Sequence, residues 1–251
     1  MTEIEKNRPL ISFIIPVLNE EKNLAETIRP LKSLDWLSKE IIVADGGSTD
    51  QTVAIAKKWV DKVYERKPGE RNKSIAENRN KGASLATGQY LFFIDCGVKI
   101  QRFPDFVREV LKIMAEKSKL VGITSELRFY PEEESRIDRV NLWVINTTIT
   151  NFNKIRLGAA MGWVQVVRMS AFKKIGGYNE DLITPEDVDL FRRLNKIGRT
   201  MTLKNFVAYG SAERYHREGW PKMFGLFLIN WFSYIFRGKS ISKEWKPMDK
   251  E

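Results

Sequence analysis

Between residues 10 and 94 short apolar runs alternate with longer amphipathic ones, and this alternation constrains the chain more than any other feature. Ile11–Val17 leads into a helical pattern from about residue 20, residues 41–44 lead into a helix over 49–58, and a helix over 74–86 leads into Tyr90–Ile94. Strands that read as unbroken apolar runs are covered on both faces, so the pattern predicts repeated βα units around a mostly parallel sheet. In such a sheet ligands bind just beyond the carboxyl ends of the strands. The residues there are Asn19 and Glu20, then Asp45 with Gly46, Gly47 and Ser48, then Asp95 with Cys96 and Gly97. Any one group by itself reads as a helix cap or a tight turn, where these residue types are usual. Three polar strand ends gathered on one edge point to a binding site.

Downstream the pattern loosens. A helix is expected from residue 103 to about 117, a strand at Leu120–Phe129, a loop across the charged residues 131–139, a strand at Val164–Arg168, and a short helix over 170–175 closed by Gly176 and Gly177. No internal repeat, low-complexity stretch or linker interrupts the chain, so residues 1–220 are expected to form one domain.

At 251 residues, with 43% hydrophobic and 29% charged, the chain can bury a sizeable core and is not of disordered composition. Its net charge of +10 favours an anionic partner: a nucleotide diphosphate, an anionic lipid surface or nucleic acid. The basic residues are dispersed and no recognition motif is present, so nucleic acid beyond a nucleotide is not expected. Cys96 is the single cysteine, which excludes an intramolecular disulfide and a cysteine-based zinc cluster, and His216 is the single histidine. Residues 1–8 are polar and lack the apolar core of a signal peptide. The expectation is a cytoplasmic protein, with the inner face of the cell membrane as a peripheral site.

Four segments in order resemble glycosyltransferase family 2, inverting enzymes of the GT-A fold. Ser12 to Glu21 (SFIIPVLNEE) looks like the family's opening strand, and Val43 to Asp50 (VADGGSTD) resembles its Asp-rich turn. Arg79 to Gly82 (RNKG), followed by ATG at 86–88 and FFID at 92–95, is similar to the run into the metal-binding DxD motif. FKKIGGY at 172–178, followed by EDVDL at 186–190, looks like the segment that carries the catalytic base. The resemblance covers about residues 10–220. It implies a single GT-A, Rossmann-like α/β domain, its central sheet mostly parallel and flanked by helices. The half over about 10–100 would bind the nucleotide sugar, and the half over 101–220 the acceptor. It further implies that Pro16, Asn19 and Glu20 line the nucleoside pocket, that Asp45 contacts the base, and that Asp95 lies at the diphosphate as a metal ligand. Gly97 stands where the motif has a second carboxylate, which departs from the pattern. Mg²⁺ or Mn²⁺ is still implied, because Mg²⁺ commonly uses one or two carboxylates together with substrate phosphates.

Inverting transfer needs a carboxylate to take the proton of the acceptor hydroxyl, and cations or hydrogen-bond donors to stabilise the departing diphosphate. Asp187 is the expected base. The stretch Thr184, Pro185, Glu186, Asp187 also reads as a helix start with Thr184 as N-cap and Pro185 in the first position, which explains it structurally. Yet Asp187 precedes Leu190, Phe191 and Leu194 at helical spacing, which puts it on the inward face where desolvation raises a carboxyl pKa. Arg79 is a candidate for the leaving diphosphate in the nucleotide-sugar site. Glu186, Arg214, His216 and Arg217 are candidates for diphosphate or acceptor binding.

Residues 223–236 are mostly apolar but fall short of the roughly twenty needed to span a bilayer. Lys222, Arg237, Lys239 and Lys243 flank them. Residues 221–251 are therefore expected to lie in the membrane interface, or to pack on the domain or on a second copy in a homodimer. The expected reaction moves a sugar from a nucleotide sugar, most often a UDP-sugar in proteins of this appearance, to a hydroxyl of a glycan or lipid-linked glycan. Two alternatives stay open: a polyprenyl-phosphate acceptor, and a degenerate fold kept as a binding or scaffold protein.

Overall fold

The computed structural model describes residues 10–67, 69–70 and 72–242. The expectations for residues 1–8 and for 243–251, Lys243 among them, lie outside the described residues.

The alternating apolar runs form β1 (Ile11–Val17), β2 (Lys39–Asp45), β3 (Lys62–Tyr64) and β4 (Tyr90–Ile94), joined by α1 (Leu24–Lys32), α2 (Thr52–Trp59) and α3 (Ile75–Leu85). These strands run parallel in the order β3-β2-β1-β4, with Val17 beside Asp45 and Phe13 beside Phe92. β1 is buried along its whole length, as its unbroken apolar run requires. Successive residues of a strand face opposite ways, so Phe13 and Phe92 enter one core layer while Ile14 and Phe93 enter the other. α3 starts at Ser74, whose hydroxyl accepts from the Glu77 amide at 3.2 Å. The helix packs directly on β1 at Gly82, where an added Cβ would stand 2.6 Å from Ile14 Cγ2.

The second half contributes β5 (Lys99–Ile100), α4 (Phe103–Glu116), β6 (Leu120–Phe129), α5 (Arg136–Lys154), β7 (Val164–Arg168), α6 (Met169–Lys174), α7 (Glu186–Ile197), β8 (Arg199–Gly210), α8 (Glu213–Glu218) and α9 (Trp220–Arg237). It extends the sheet as β4-β7-β6-β8-β5. β7 is antiparallel to both its neighbours, β6 and β8 are parallel, and β5 is antiparallel to β8. The parallel arrangement expected from the sequence therefore holds for the first half, and the second half is mixed. The reversal places the start of β7, Val164, beside the end of β4, Ile94, on the edge where the polar strand ends collect.

Two local expectations are corrected. Residues 131–139 are not loop throughout: α5 begins at Arg136 behind a capping box, in which Ser135 accepts from the Asp138 amide and the Asp138 carboxylate accepts from the Ser135 amide. Thr184 is not the N-cap of α7, because Pro185 holds the cap position and no side chain caps the helix.

α9 packs on the domain through Met223, which clusters with Phe129, Leu142 and Tyr215, and Asn230 is buried against residues 241–242, while Leu228, Ile229, Phe232, Ile235 and Phe236 are exposed. Tyr234 donates to Asp189 of α7 at 2.8 Å, and Ser240 accepts from the Ile183 amide while donating to the Thr184 carbonyl. The segment is thus fastened to the start of α7 by one face and open on the other. Among the described residues no helix is long and apolar enough to cross a membrane.

Candidate active site

The ends of β1 and β2 clasp each other. Asn19, with φ +54°, accepts from the Thr49 amide at 2.9 Å and donates its own amide to Ser48 Oγ at 2.9 Å. The Glu20 amide donates to Thr52 Oγ1 at 2.7 Å. Asp45 is 1% exposed, and its carboxylate accepts from the amides of Gly47 at 2.9 Å and Ser48 at 3.1 Å. Pro16 is buried one residue before the end of β1, beside Ala44. Gly46 is needed for close approach, since a Cβ there would meet Asn72 Nδ2 at 2.4 Å and Asn78 Nδ2 at 2.6 Å. Asn19 and Glu20 are the accessible members of this set, whereas Asp45 shapes the turn from within.

Arg79 of α3 is 1% exposed and joins the two halves of the molecule. Its guanidinium donates to Glu186 at 2.8 Å, to Asp95 at 2.7 Å and to the Gly162 carbonyl at 3.2 Å, and it lies over the Tyr178 ring at 5.4 Å. Burial opposes its charge, but Asp95, Tyr178 and Glu186 outweigh that and raise its pKa further. A guanidinium already held by two carboxylates positions Asp95 at the strand end and Glu186 at the start of α7. Arg79 and Glu186, expected at the donor or acceptor, are turned toward each other.

Asp187 is the next residue, half-buried at the mouth of this cluster. Burial, and then the charge of Glu186, push its carboxyl up to about 8, against the pull of Arg79. Buried Tyr215 of α8 is pushed up to about 12 by burial and by Asp187, so it remains a neutral phenol within the field of the carboxylate. Tyr178 is also raised by burial and donates to buried Gln165 of β7.

The Asp95–Gly97 loop is held from both sides: the Gly97 amide donates to Thr27 Oγ1 at 2.9 Å, and Tyr130 donates to the Gly97 carbonyl. Gly97 has φ +83°, which favours glycine. Asp95 Oδ1 is taken by Arg79, so the loop offers a cation one carboxylate oxygen, Oδ2. Among the described residues no group of three His, Cys, Asp or Glu side chains could hold a metal. This donor set fits Mg²⁺ or Mn²⁺ only where substrate phosphates and water complete the coordination.

The basic candidates of α8 are placed unequally. His216 Nε2 stands 2.8 Å from Asp138, and Trp220 Nε1 donates to the same carboxylate at 2.6 Å. Burial would raise Asp138, but hydrogen bonds from His216, Ser135 and Trp220 hold it at about 2. His216 therefore fixes α8 to the start of α5. Arg214 is lowered by burial and by Arg217, while Arg217 is exposed. The structure gathers Arg79, Asp95, Glu186 and Asp187 into one cluster, sets Pro16 and Asp45 at the ends of β1 and β2 with Asn19 and Glu20 just beyond β1, and ties His216 of α8 to Asp138 of α5. Sequence reasoning missed Tyr130, Asp138 and Tyr215. Only Asp138 left a trace, as the fourth residue of its capping box.

Residues 12–176 match the signature of Glycosyl transferase family 2. The chain belongs to this family. Among family 2 relatives it is 30% identical over 210 residues to the succinoglycan biosynthesis protein ExoA of Rhizobium meliloti, covering 78% of this chain and 62% of the relative. It is 28% identical to validoxylamine A glucosyltransferase of Streptomyces hygroscopicus subsp. limoneus, covering 78% and 50%. The chain thus spans between half and two thirds of the length of these relatives. Its fold is that of the mannosyltransferase PcManGT from Pyrobaculum calidifontis, solved with GDP-Man and Mn²⁺, at a TM-score of 0.70 and 18% identity over 93% of this chain and 66% of that one. It also matches S. aureus TarS in complex with UDP, at a TM-score of 0.62 and 18% identity over 82% and 62%.

Proposed function

We propose that this chain transfers a sugar, with inversion, from a nucleoside-diphosphate sugar to a hydroxyl of a glycan or lipid-linked glycan. The observation that carries the reading is the Asp187 carboxyl, half-buried beside the Arg79–Asp95–Glu186 cluster and raised to about 8. A general base works best with a pKa near the operating pH. Asn19, Glu20 and the Asp45 turn receive the nucleoside, and Asp95 lies at the diphosphate. A divalent cation would be held by Asp95 and the donor's own phosphate oxygens, and would neutralise charge developing on the leaving diphosphate. Asp187 takes the proton from the acceptor oxygen as that oxygen bonds to the anomeric carbon and the nucleoside diphosphate departs with the electrons of the broken bond. Arg79 acts through Asp95 and Glu186 as a positioning residue, and Tyr215 walls the base from water.

The donor is read from a screen of nucleotide-sugar hydrolysis by mass spectrometry, with and without Mn²⁺, followed by NMR of the anomeric product. One donor is expected to be cleaved well above the others, with faster cleavage in Mn²⁺ and inverted product. Retained configuration, or no cleavage of any donor, defeats the proposal.

Asp45 offers a separate test of the nucleoside end. Asp45→Ala loses the acceptor for two turn amides, whereas Asp45→Asn keeps one oxygen that can still accept from Ser48 or Gly47. By calorimetric titration Asp45→Ala is expected to weaken nucleotide binding about tenfold or more, in line with the roughly 1–3 kcal/mol of an unmet buried group. Asp45→Asn retains most of the affinity if the residue acts through the turn. Unchanged affinity in Asp45→Ala removes the turn from the site.

A further inference from the structure

A cavity of about 750 Å³ lies among the starts of β6 and β8 and the last turns of α5. Six cations line it: Lys117, Lys119, Lys154, Arg156, Arg199 and Lys204. They come from three separate stretches of chain, and the lining holds one carboxylate, Glu116. Among the described residues none of the six has an ion-pair partner. Elsewhere on this protein basic side chains pair readily, as Lys57 does with Glu65 and Lys222 with Glu218.

A second observation concerns the wall. Thr150 lines the cavity and is 5% exposed, yet its hydroxyl is buried with no hydrogen-bond partner among the described residues. A helical threonine ordinarily bonds a carbonyl one turn back. The neighbouring polar groups are already spent on one another: Asn153 donates to Thr202 Oγ1 at 3.1 Å and to the Ala159 carbonyl at 2.8 Å, and Thr200 donates to Asn153. The Thr150 hydroxyl is thus a buried group without a partner, on a residue that lines the cavity.

We propose that this cavity is a second binding site, for a phosphate-bearing anion, separate from the donor pocket. Lysine and arginine heads with a hydroxyl donor are the groups that hold phosphate oxygens, and the volume suits a polyphosphate or a phosphate headgroup better than a single small ion. Separation follows from β6. The strand runs ten residues from Leu120 at the cavity to Phe129, and Tyr130 just beyond it holds the Gly97 loop. At ~3.3 Å per residue the two sites are ~30 Å apart. Ile155 and Leu157, exposed on either side of Arg156, lie next to the cations, so the phosphate could belong to a lipid or to a soluble molecule.

Calorimetric titration with inorganic tripolyphosphate tests the site on the full chain. Lys154→Glu with Arg199→Glu is expected to weaken binding at least tenfold. Thr150→Val keeps shape and charge and is expected to weaken it about fivefold to tenfold, the loss of one hydrogen bond to a charged group. Nucleotide affinity stays unchanged in both variants. Binding that falls on charge reversal but ignores Thr150→Val is the behaviour of a diffuse basic rim and overturns the site, as does the absence of saturable binding. Flotation with phosphatidylcholine vesicles, with and without phosphatidylglycerol, identifies the source. Anionic-vesicle binding lost in the same variants assigns a lipid headgroup, whereas tripolyphosphate binding without vesicle binding assigns a soluble anion.

Discussion

Replacing Asp187 by asparagine is expected to lower kcat by roughly 10²–10⁴-fold, the usual contribution of a positioned general base, while donor binding stays near normal. The same substitution is expected to raise the melting temperature. The carboxyl titrates at about 8 in the folded protein against its ordinary 3.8. A raised folded-state pKa means that its stabilising contribution is complete below about 3.8 and is lost progressively as pH rises through about 8. Asparagine cannot ionise, so the advantage of the variant grows across that window and levels off above it. The wild-type kcat/KM is expected to climb through the same region, because the base must be ionised to accept a proton, and Asp187→Asn is expected to flatten the profile. Turnover, melting temperature and pH profile are measured on one preparation. Near-normal turnover with a confirmed hydroxyl acceptor sinks the mechanism and points to a phosphate acceptor, which needs little deprotonation.

Arg79→Met is expected to be the most destabilising single substitution in the site. It leaves buried Glu186 and part-buried Asp95 without their shared cation, and removing one partner of a buried ion pair costs roughly 3–5 kcal/mol. For a chain of this size that corresponds to a fall in melting temperature of roughly 6–20 °C. Adding Glu186→Leu should recover most of the loss, since a buried pair replaced by apolar groups is often neutral. Activity should stay low in the double variant, because Asp95 no longer has its anchor. Thermal melting of the two variants separates the roles. A single variant that melts within about 2 °C of wild type would show that the guanidinium is not the link between the halves.

The sequence by itself determined the first half of this molecule. Unbroken apolar runs can be satisfied only by strands covered on both faces, so β1, β2 and β4 and the edge on which Asn19, Asp45 and Asp95 collect were legible from residue order. The buried face of α7 was legible as well, because the spacing of Leu190, Phe191 and Leu194 fixes which side of the helix turns inward. Three things were decided only by the tertiary structure. The antiparallel placement of β7 leaves no mark in its own residues, since a short strand such as Val164–Arg168 shows the same alternation whichever way its neighbours run. The charges at 131–139 read as solvated loop, and although the capping box of α5 is local, the second role of Asp138, tying α8 to α5 through His216 and Trp220 some eighty residues on, exists only in the folded protein. Arg79 read as a free cation for phosphate. It is a buried crosslink instead, because Glu186, 107 residues away, meets it only in the folded protein, where desolvation binds charge to charge and leaves Asp187 as the titratable group at the mouth of the site.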